Sequence, residues 1–236
     1  MIIGSGLIAR AFSPHAPTLN DTCIYAAGVS NSGCTDPSEF ARDEDRLRAA
    51  IASMPAPTRL VYFSTCSVGD PSMAQSGYVL HKRRLESLVE QRPPYLVVRL
   101  PQVAGRTPNP HTLLNYLYAR ITRSEKFDLW KHACRNIIDV DDAAAIILYL
   151  IRHEQAVDEI INVANPRSSS MTEIVQAIEA ATHHRAVYRL LDRGAAYEID
   201  TSRITKAITT LQLPFGDAYL SRTVAKYYYP HVQLQP

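Results

Sequence analysis

Residues Arg59–Leu85 read R-L-V-Y-F-S-T-C-S-V-G-D-P-S-M-A-Q-S-G-Y-V-L-H-K-R-R-L, and this stretch decides the fold. The apolar run Leu60-Val61-Tyr62-Phe63 predicts a buried strand ending in the hydroxyl cluster Ser64, Thr65 and Ser67. A short loop with Asp70-Pro71-Ser72 follows, and then a helix carrying Tyr78 and Lys82. Residues four apart on a helix share a face. The phenol and the ammonium therefore point the same way, toward the strand end that carries Thr65. A hydroxyl, a phenol and a lysine gathered there suit proton chemistry on an alcohol or a ketone.

Upstream, Met1-Ile2-Ile3 is a short apolar strand leading into Gly4-Ser5-Gly6-Leu7-Ile8-Ala9, a G-x-G-x-x-A turn. Its glycines permit a tight turn and let backbone N–H groups approach an anion at the helix N-terminus. The helix from Leu7 stops at Ser13-Pro14 and Pro17, and Thr22–Ala27 is the next strand, ending at Gly28. Small residues there admit a cofactor or form a plain turn. Pro37–Met54 predicts a helix whose buried stripe is Phe40, Leu47, Ala50 and Ile51, with Glu39, Arg42, Asp43, Glu44, Asp45, Arg46 and Arg48 read as a solvated face.

Downstream, Tyr95–Leu100 is apolar on both faces, as an interior parallel strand should be. Strands alternating with helices predict an α/β, doubly wound parallel sheet. Pro101–Pro110 reads as a rigid loop at that strand's carboxyl end, where ligands of open α/β sheets sit. His111–Arg123 is helical by the spacing of Leu113, Leu114, Leu117 and Ile121. Phe127–Trp130 reads as a short edge strand and Asn136–Asp139 as another. Asp139 or Asp141 caps a helix over Ala143–Ile151, and Ile160–Ala164 is a last core strand. Ser170 and Glu173 have the spacing of a capping box for a helix to about Ala181. Tyr227-Tyr228-Tyr229-Pro230 reads as an aromatic helix end, and His183-His184 as solvated residues at a helix end.

Composition excludes several classes. With 46% hydrophobic and 20% charged residues and a formal net charge of +2, the chain has no electrostatic case for a nucleic-acid or membrane partner. No run approaches the ~18 apolar residues of a membrane span, and no cleavable leader opens the sequence. Cys23, Cys34, Cys66 and Cys134 are scattered, which fits reduced thiols in a cytoplasmic protein. No Cys/His spacing suggests a metal.

Taken in order, these segments resemble the extended short-chain dehydrogenase/reductases, the NAD-dependent epimerase/dehydratase group that acts on nucleotide sugars. The likeness rests on Gly4, Gly6 and Ala9; Ala26-Ala27-Gly28; Phe63-Ser64-Thr65-Cys66-Ser67-Val68; Tyr78-Val79-Leu80-His81-Lys82 with Glu86; Arg99–Gly105; and Arg135–Asp142. It implies a Rossmann-like core over 1–105 plus 136–164 and a smaller C-terminal substrate-side lobe over 106–135 and 165–236. The catalytic set it implies is Thr65, Tyr78 and Lys82. Lys82, together with an oxidised nicotinamide, would bring the Tyr78 phenol into working range, and Lys82 would also hold the nicotinamide ribose. Binding of NAD or NADP, with NAD preferred, is expected from Gly4, Ser5, Gly6, Leu7, Ile8, Ala26, Ala27, Gly28, Ser64, Pro101 and Val103, besides Tyr78 and Lys82. Nucleotide-sugar contacts are expected from Cys66, Ser67, Gln102, His111 and Arg135, with a surface ion pair the plainer role for Arg135. Pairing into a homodimer and a place in surface-polysaccharide synthesis also follow from the likeness.

The departures carry information. Only eleven residues separate Ala9 from Asp21, where the family places its second and third strands and the acid for the adenosine ribose. A shortened sheet of about five strands is therefore expected, with half an adenosine pocket. Arg10 is a solvated helix residue on this reading. Cys66 and Ser67 stand where the family's 4,6-dehydratases carry an acid, which disfavours dehydration and leaves a 4-epimerase or a 4-keto reductase. The alternative is a non-catalytic nucleotide-binding or regulatory protein on a degenerate scaffold. His81 is expected at the surface, and Cys66 as a pocket-lining or buried inert thiol.

Overall fold

Strand β1 (Ile2–Ile3) feeds the glycine turn and helix α1 (Leu7–Phe12), which runs on as a 3-10 turn over Ser13–Thr18 where Pro14 and Pro17 deny it further α-helical bonds. Then come β2 (Thr22–Tyr25), α2 (Pro37–Ser53), β3 (Arg59–Thr65), α3 (Gly77–Glu90) and β4 (Tyr95–Leu100). The second half holds β5 (Gln102–Ala104), α4 (Leu113–Thr122), β6 (Phe127–Trp130), β7 (Cys134–Arg135), β8 (Ile137–Asp139) and α5 (Val140–His153). It ends with β9 (Glu159–Asn162), β10 (Ser169–Ser170), α6 (Met171–Thr182), β11 (Tyr188–Leu191), α7 (Thr205–Thr210) and α8 (Tyr219–Tyr228). This computed structural model describes residues 1–153 and 156–229; Pro230, expected just past the last helix, lies outside the described residues.

Helix starts follow local chemistry. Asp36 accepts from the Ser38 N–H with Pro37 in the first turn of α2, Ser76 accepts from Val79 N–H at α3, and Ser170 and Glu173 form the expected capping box at α6. Asp139 supplies the acceptor at α5, bonding the Asp141 N–H at 2.8 Å.

Five parallel strands form the main sheet in the order β1-β2-β3-β4-β9. Alternate residues of the strands face opposite layers. Ile24, Val61, Phe63, Leu96 and Val98 pack with Phe12 of α1 and the apolar residues of α5. Cys23, Tyr25, Leu60, Tyr62 and Val97 pack with Leu47 of α2 and Leu85 of α3. A third core, Leu114, Leu117, Phe127, Leu129, Ile174, Ile178, Val224 and Tyr227 among others, joins α4, α6 and α8 beside the sheet.

The layer assignment reveals an unusual connection. The steps β1→β2, β2→β3 and β3→β4 all run the same way across the sheet. Helices α2 and α3 lie on one face, whereas α1 lies on the other. Crossovers stepping the same way with helices on opposite faces have opposite hands. Right-handed crossovers are the rule, so β1–α1–β2 is the left-handed one. In a full doubly wound sheet α1 leads to strands beyond β1, and from there its crossover is right-handed. With those strands missing, α1 keeps its face and β1 becomes the sheet edge, as the eleven-residue interval predicts.

Three details differ from expectation. The Pro101–Pro110 loop contains β5, paired in parallel with β8. Strand β6 pairs with β11, which carries no burial alternation for a sequence reading to find. Strand β9 is itself an edge, with Ile160 exposed and Ile161 buried.

Candidate active site

The carboxyl end of β3 sets the geometry. Thr65 is still extended, and its Oγ1 accepts from the Ser67 N–H at 3.1 Å, turning the chain into a 3-10 segment over Cys66–Gly69. Asp70 Oδ1 then accepts from Ser72 N and Ser72 Oγ at 2.9 and 2.7 Å and opens a second short turn. The chain is thereby delivered to Ser76, the cap of α3. Tyr78 falls in that helix's first turn and Lys82 one turn later, and both are buried, as is Thr65.

Thr65, Tyr78 and Lys82 are brought together. The Thr65 hydroxyl lies beside the Tyr78 phenol and acts on its titration. Lys82 Nζ donates to Tyr62 Oη at 3.4 Å and to the Phe63 carbonyl at 3.3 Å, and stands 5.9 Å from the Tyr78 ring centroid. Burial pushes the Tyr78 phenol up to about 12; the Thr65 hydroxyl opposes this and the Asp43 charge adds to it. Burial is the largest influence on this phenol. Burial likewise holds the Lys82 ammonium below its ordinary range, against the pull of Asp43 and Glu86.

Two expectations about α2 and α3 are corrected. Asp43 is not on a solvated face, and His81 is not at the surface: they are 2% and 6% exposed and meet at 2.9 Å, Asp43 Oδ2 to His81 Nε2. Phe40 stacks on His81 at 4.6 Å between centroids. Asp43 Oδ2 also accepts from the Val29 N–H at 3.2 Å, while Oδ1 has no hydrogen-bond partner among the described residues. Desolvation works against this carboxylate's charge. The His81 bond, the Lys82 charge and the Val29 N–H outweigh it and hold Asp43 below the usual carboxylate range. Helical spacing carried the signal, since Phe40, Asp43, Leu47 and Ala50 step by three or four along one stripe.

The glycine turn has a packing reason of its own. Gly4 has φ +123°, and a Cβ there would lie 2.3 Å from the Ala26 carbonyl oxygen, so β1 turns directly against the end of β2. Gly6 caps α1 and has open space around its Cα, and Leu7 and Ile8 are half-buried. Arg10, rather than being simply solvated, donates to the Arg106 carbonyl at 2.8 Å and ties this turn to the loop beyond β5. At the end of β2, Ala27, Gly28 and Asp43 border a cleft closed on its far side by Asn109 and His111. Ser64 is buried with its Oγ unpartnered among the described residues.

The remaining candidates divide. Cys66 is buried and donates to the Arg99 carbonyl at 3.3 Å, and burial pushes its thiol up to about 12. Gln102 and Val103 lie in β5 beside Ile137 and Ile138, next to Pro101. His111 is exposed at the cleft rim by Gly28, apart from the Ser67 side. Arg135 donates to its neighbour's carbonyl, Cys134 O, at 2.7 Å. Its charge acts on Tyr197, a residue the sequence reading missed. Burial pushes the Tyr197 phenol up to about 12, Cys66 and Asp70 add to that, and the neighbouring Ser67 and Arg135 oppose it. Tyr197 sits in an irregular segment without periodicity, so no pattern could have singled it out.

Residues 8–164, well over half the chain, match the NAD dependent epimerase/dehydratase family. The chain belongs to that family. No curated protein matches it by sequence. Among solved structures, it is similar to UDP-glucuronic acid 4-epimerase from Bacillus cereus in complex with UDP-glucuronic acid and NAD, at 18% identity and TM-score 0.65 over 88% of this chain and 74% of that one. It is similar to dTDP-glucose 4,6-dehydratase from Bacillus anthracis in complex with NAD, at 17% identity and TM-score 0.64 over 93% and 77%. RMD from Pseudomonas aeruginosa, complexed with NADPH, gives 16% identity and TM-score 0.65 over 89% and 79%. At such identities the likeness to these structures is one of fold.

Proposed function

We propose that this chain is a nicotinamide-dinucleotide-dependent enzyme acting on a nucleotide sugar, as a 4-epimerase or a 4-keto reductase, with Tyr78 as its acid/base. The observation that carries this is the convergence of three buried side chains, Thr65 at the end of β3 and Tyr78 and Lys82 one turn apart on α3, with the ammonium 5.9 Å from the Tyr78 ring centroid. The residues fit the cofactor's reacting end. Lys82 Nζ and both Asp43 carboxylate oxygens flank the space a Gly28 side chain would fill, at 3.0 and 3.7 Å from that Cβ position. Ser64 Oγ adds an orphaned polar atom nearby.

When bound, a nicotinamide supplies the hydride chemistry. Tyr78 gives a proton to the sugar oxygen, or takes one from it, and Thr65 orients that oxygen through its hydroxyl. With the phenol pushed up to about 12, Tyr78 is neutral at physiological pH, the form that donates to a 4-keto oxygen. Lys82 donates to ribose hydroxyls. Ser67 and Tyr197, with Arg135 beside them, supply polar groups on the sugar-diphosphate side, where the planar guanidinium suits phosphate. Cys66, tied to a backbone carbonyl, and Ser67 offer no carboxylate for eliminating water, which supports epimerisation or reduction over dehydration.

Tyr78→Phe tests this reading. NADH and NADPH binding by fluorescence should stay within about twofold, while turnover of UDP- and dTDP-sugars falls by about 10²–10⁴-fold. Unchanged turnover would remove Tyr78 from the chemistry. The edge position of β1 favours a second reading, a non-catalytic nucleotide binder. Thermal melts separate the two. A dinucleotide at 100 times its Kd adds about 2.7 kcal/mol, roughly 5–10 °C at this size. No shift with NAD, NADP or their reduced forms would favour the non-redox protein.

A further inference from the structure

Lys82 is 3% exposed, and among the described residues its ammonium donates to a phenol and a carbonyl, at 3.4 and 3.3 Å. Neither acceptor carries a charge, and a buried ammonium without a counter-charge is costly. Glu86 on the same helix is already engaged by Arg99, at 2.8 and 2.6 Å. From β3 comes Tyr62 and from α3 Tyr78, both phenols that burial keeps protonated. The carboxylate left over is Asp43 on α2. It is buried, its Oδ2 is held by His81 and by the Val29 N–H, and its Oδ1 lacks a hydrogen-bond partner among the described residues. Gly28 locates it relative to the lysine: one Cβ position lies 3.0 Å from Lys82 Nζ and 3.7 Å from each Asp43 oxygen.

We propose that Asp43, oriented by His81, is a positioning residue that acts through Lys82, fixing the lysine ammonium at the opening beside Gly28 where it meets the ligand's hydroxyls. This rests on the reading of Lys82 as a ribose-binding residue. His81 contributes by pinning one carboxylate oxygen, which leaves the other for the ammonium and for a ligand hydroxyl. The role of Gly28 follows: a side chain there would stand between the two charges.

Two measurements test the proposal, one of them without cofactor. The chain has five lysines, so carbon-13 labelling at lysine Cε gives few signals, and Lys82→Met identifies the one that matters. In Asp43→Asn the Lys82 signal should titrate about one pH unit lower than in the wild type, a tenfold change in proton affinity. An unmoved midpoint overturns the proposal whatever the cofactor does. The second is a double-mutant cycle on NADH and NADPH dissociation constants. Asp43→Asn should weaken binding about tenfold in the wild-type background and less than twofold when Lys82 is already Met. Equal losses in both backgrounds would make Asp43 an independent ligand or a structural residue, and would overturn the proposal. If the wild-type protein binds neither dinucleotide, the functional reading fails, and the lysine titration alone decides the Asp43–Lys82 coupling.

Discussion

The middle of the sheet and its β1 edge are built to different standards. At β3–α3, Thr65, Tyr78 and Lys82 are buried, capped into place by Ser76, and backed by the Asp43–His81 pair. At β1, two residues form the edge of the sheet, the helix that follows has six residues, and its crossover has the uncommon hand. The difference teaches that a parallel sheet can do without strands at one edge and leave its middle undisturbed. Each strand's register depends on its neighbours alone, and β3 keeps β2 and β4 on either side. On the proposed reading the chemistry belongs to the interior of the sheet, and the cofactor's distal half to the side that β1 closes off as an edge.

Tyr78→Phe attacks the well-built middle and should show the largest effect, a loss of about 10²–10⁴ in turnover, with the thermal midpoint nearly unchanged because Phe fills the same buried volume. Gly4→Val attacks the thin edge. The positive φ and the 2.3 Å approach to Ala26 O leave no place for a side chain. Destabilisation of about 2–5 kcal/mol is expected in urea melts. A Gly4→Val protein as stable as wild type would mean that β1 is not anchored to β2 as described.

Both regions were legible in the sequence to different depths. The β3–α3 unit announced itself through a short apolar run, a hydroxyl cluster and a Tyr/Lys pair at helical spacing, so fold and triad came together. The missing strands were legible by subtraction, from too few residues between Ala9 and Asp21. At Asp43 and His81 a polar side chain masks a buried helical period. Asp43 falls on the Phe40–Leu47–Ala50 stripe, and His81 stands between Tyr78 and Leu85 at the same steps of three and four. Tyr197 was beyond reach, since it is delivered by an irregular segment whose position depends on the whole second lobe. The hand of the first crossover also needed coordinates, because a sequence does not say on which face a six-residue helix will pack.

Asp43 also sharpens the comparison through pH. Its folded pKa lies below the ordinary carboxylate value, so the unfolded chain binds its proton more readily. The stability contributed by the charged carboxylate is present above about pH 4 and is lost as pH falls through the lowered folded value. Asp43→Asn should therefore flatten the acid side of the stability curve, read as urea midpoints between about pH 5 and pH 2. An unchanged slope would mean that the buried pair contributes no proton-linked stability.

The smallest expected effect bears most directly on the contrast between the two regions. If the protein grips its cofactor through Lys82, Asp43, Ser64 and the Tyr78 side, and β1 offers little to an adenosine, then removing the adenosine half of the ligand should cost little. Reduced nicotinamide mononucleotide is then expected to bind within about tenfold of NADH, a difference under about 1.4 kcal/mol, and Gly6→Ala should change neither constant appreciably, since the space at Gly6 is open. A loss of a thousandfold on going to the mononucleotide would show the opposite. The adenosine would then have a pocket built from other elements, for which the cleft bordered by Gly28, Ser30, Arg42 and Arg46 is the place to look. Arg46→Ala, which removes the guanidinium bound to the Ala27 carbonyl at 2.9 Å, separates the cases. It should weaken NADH and leave the mononucleotide unaffected only if the distal half of the ligand has moved to that cleft.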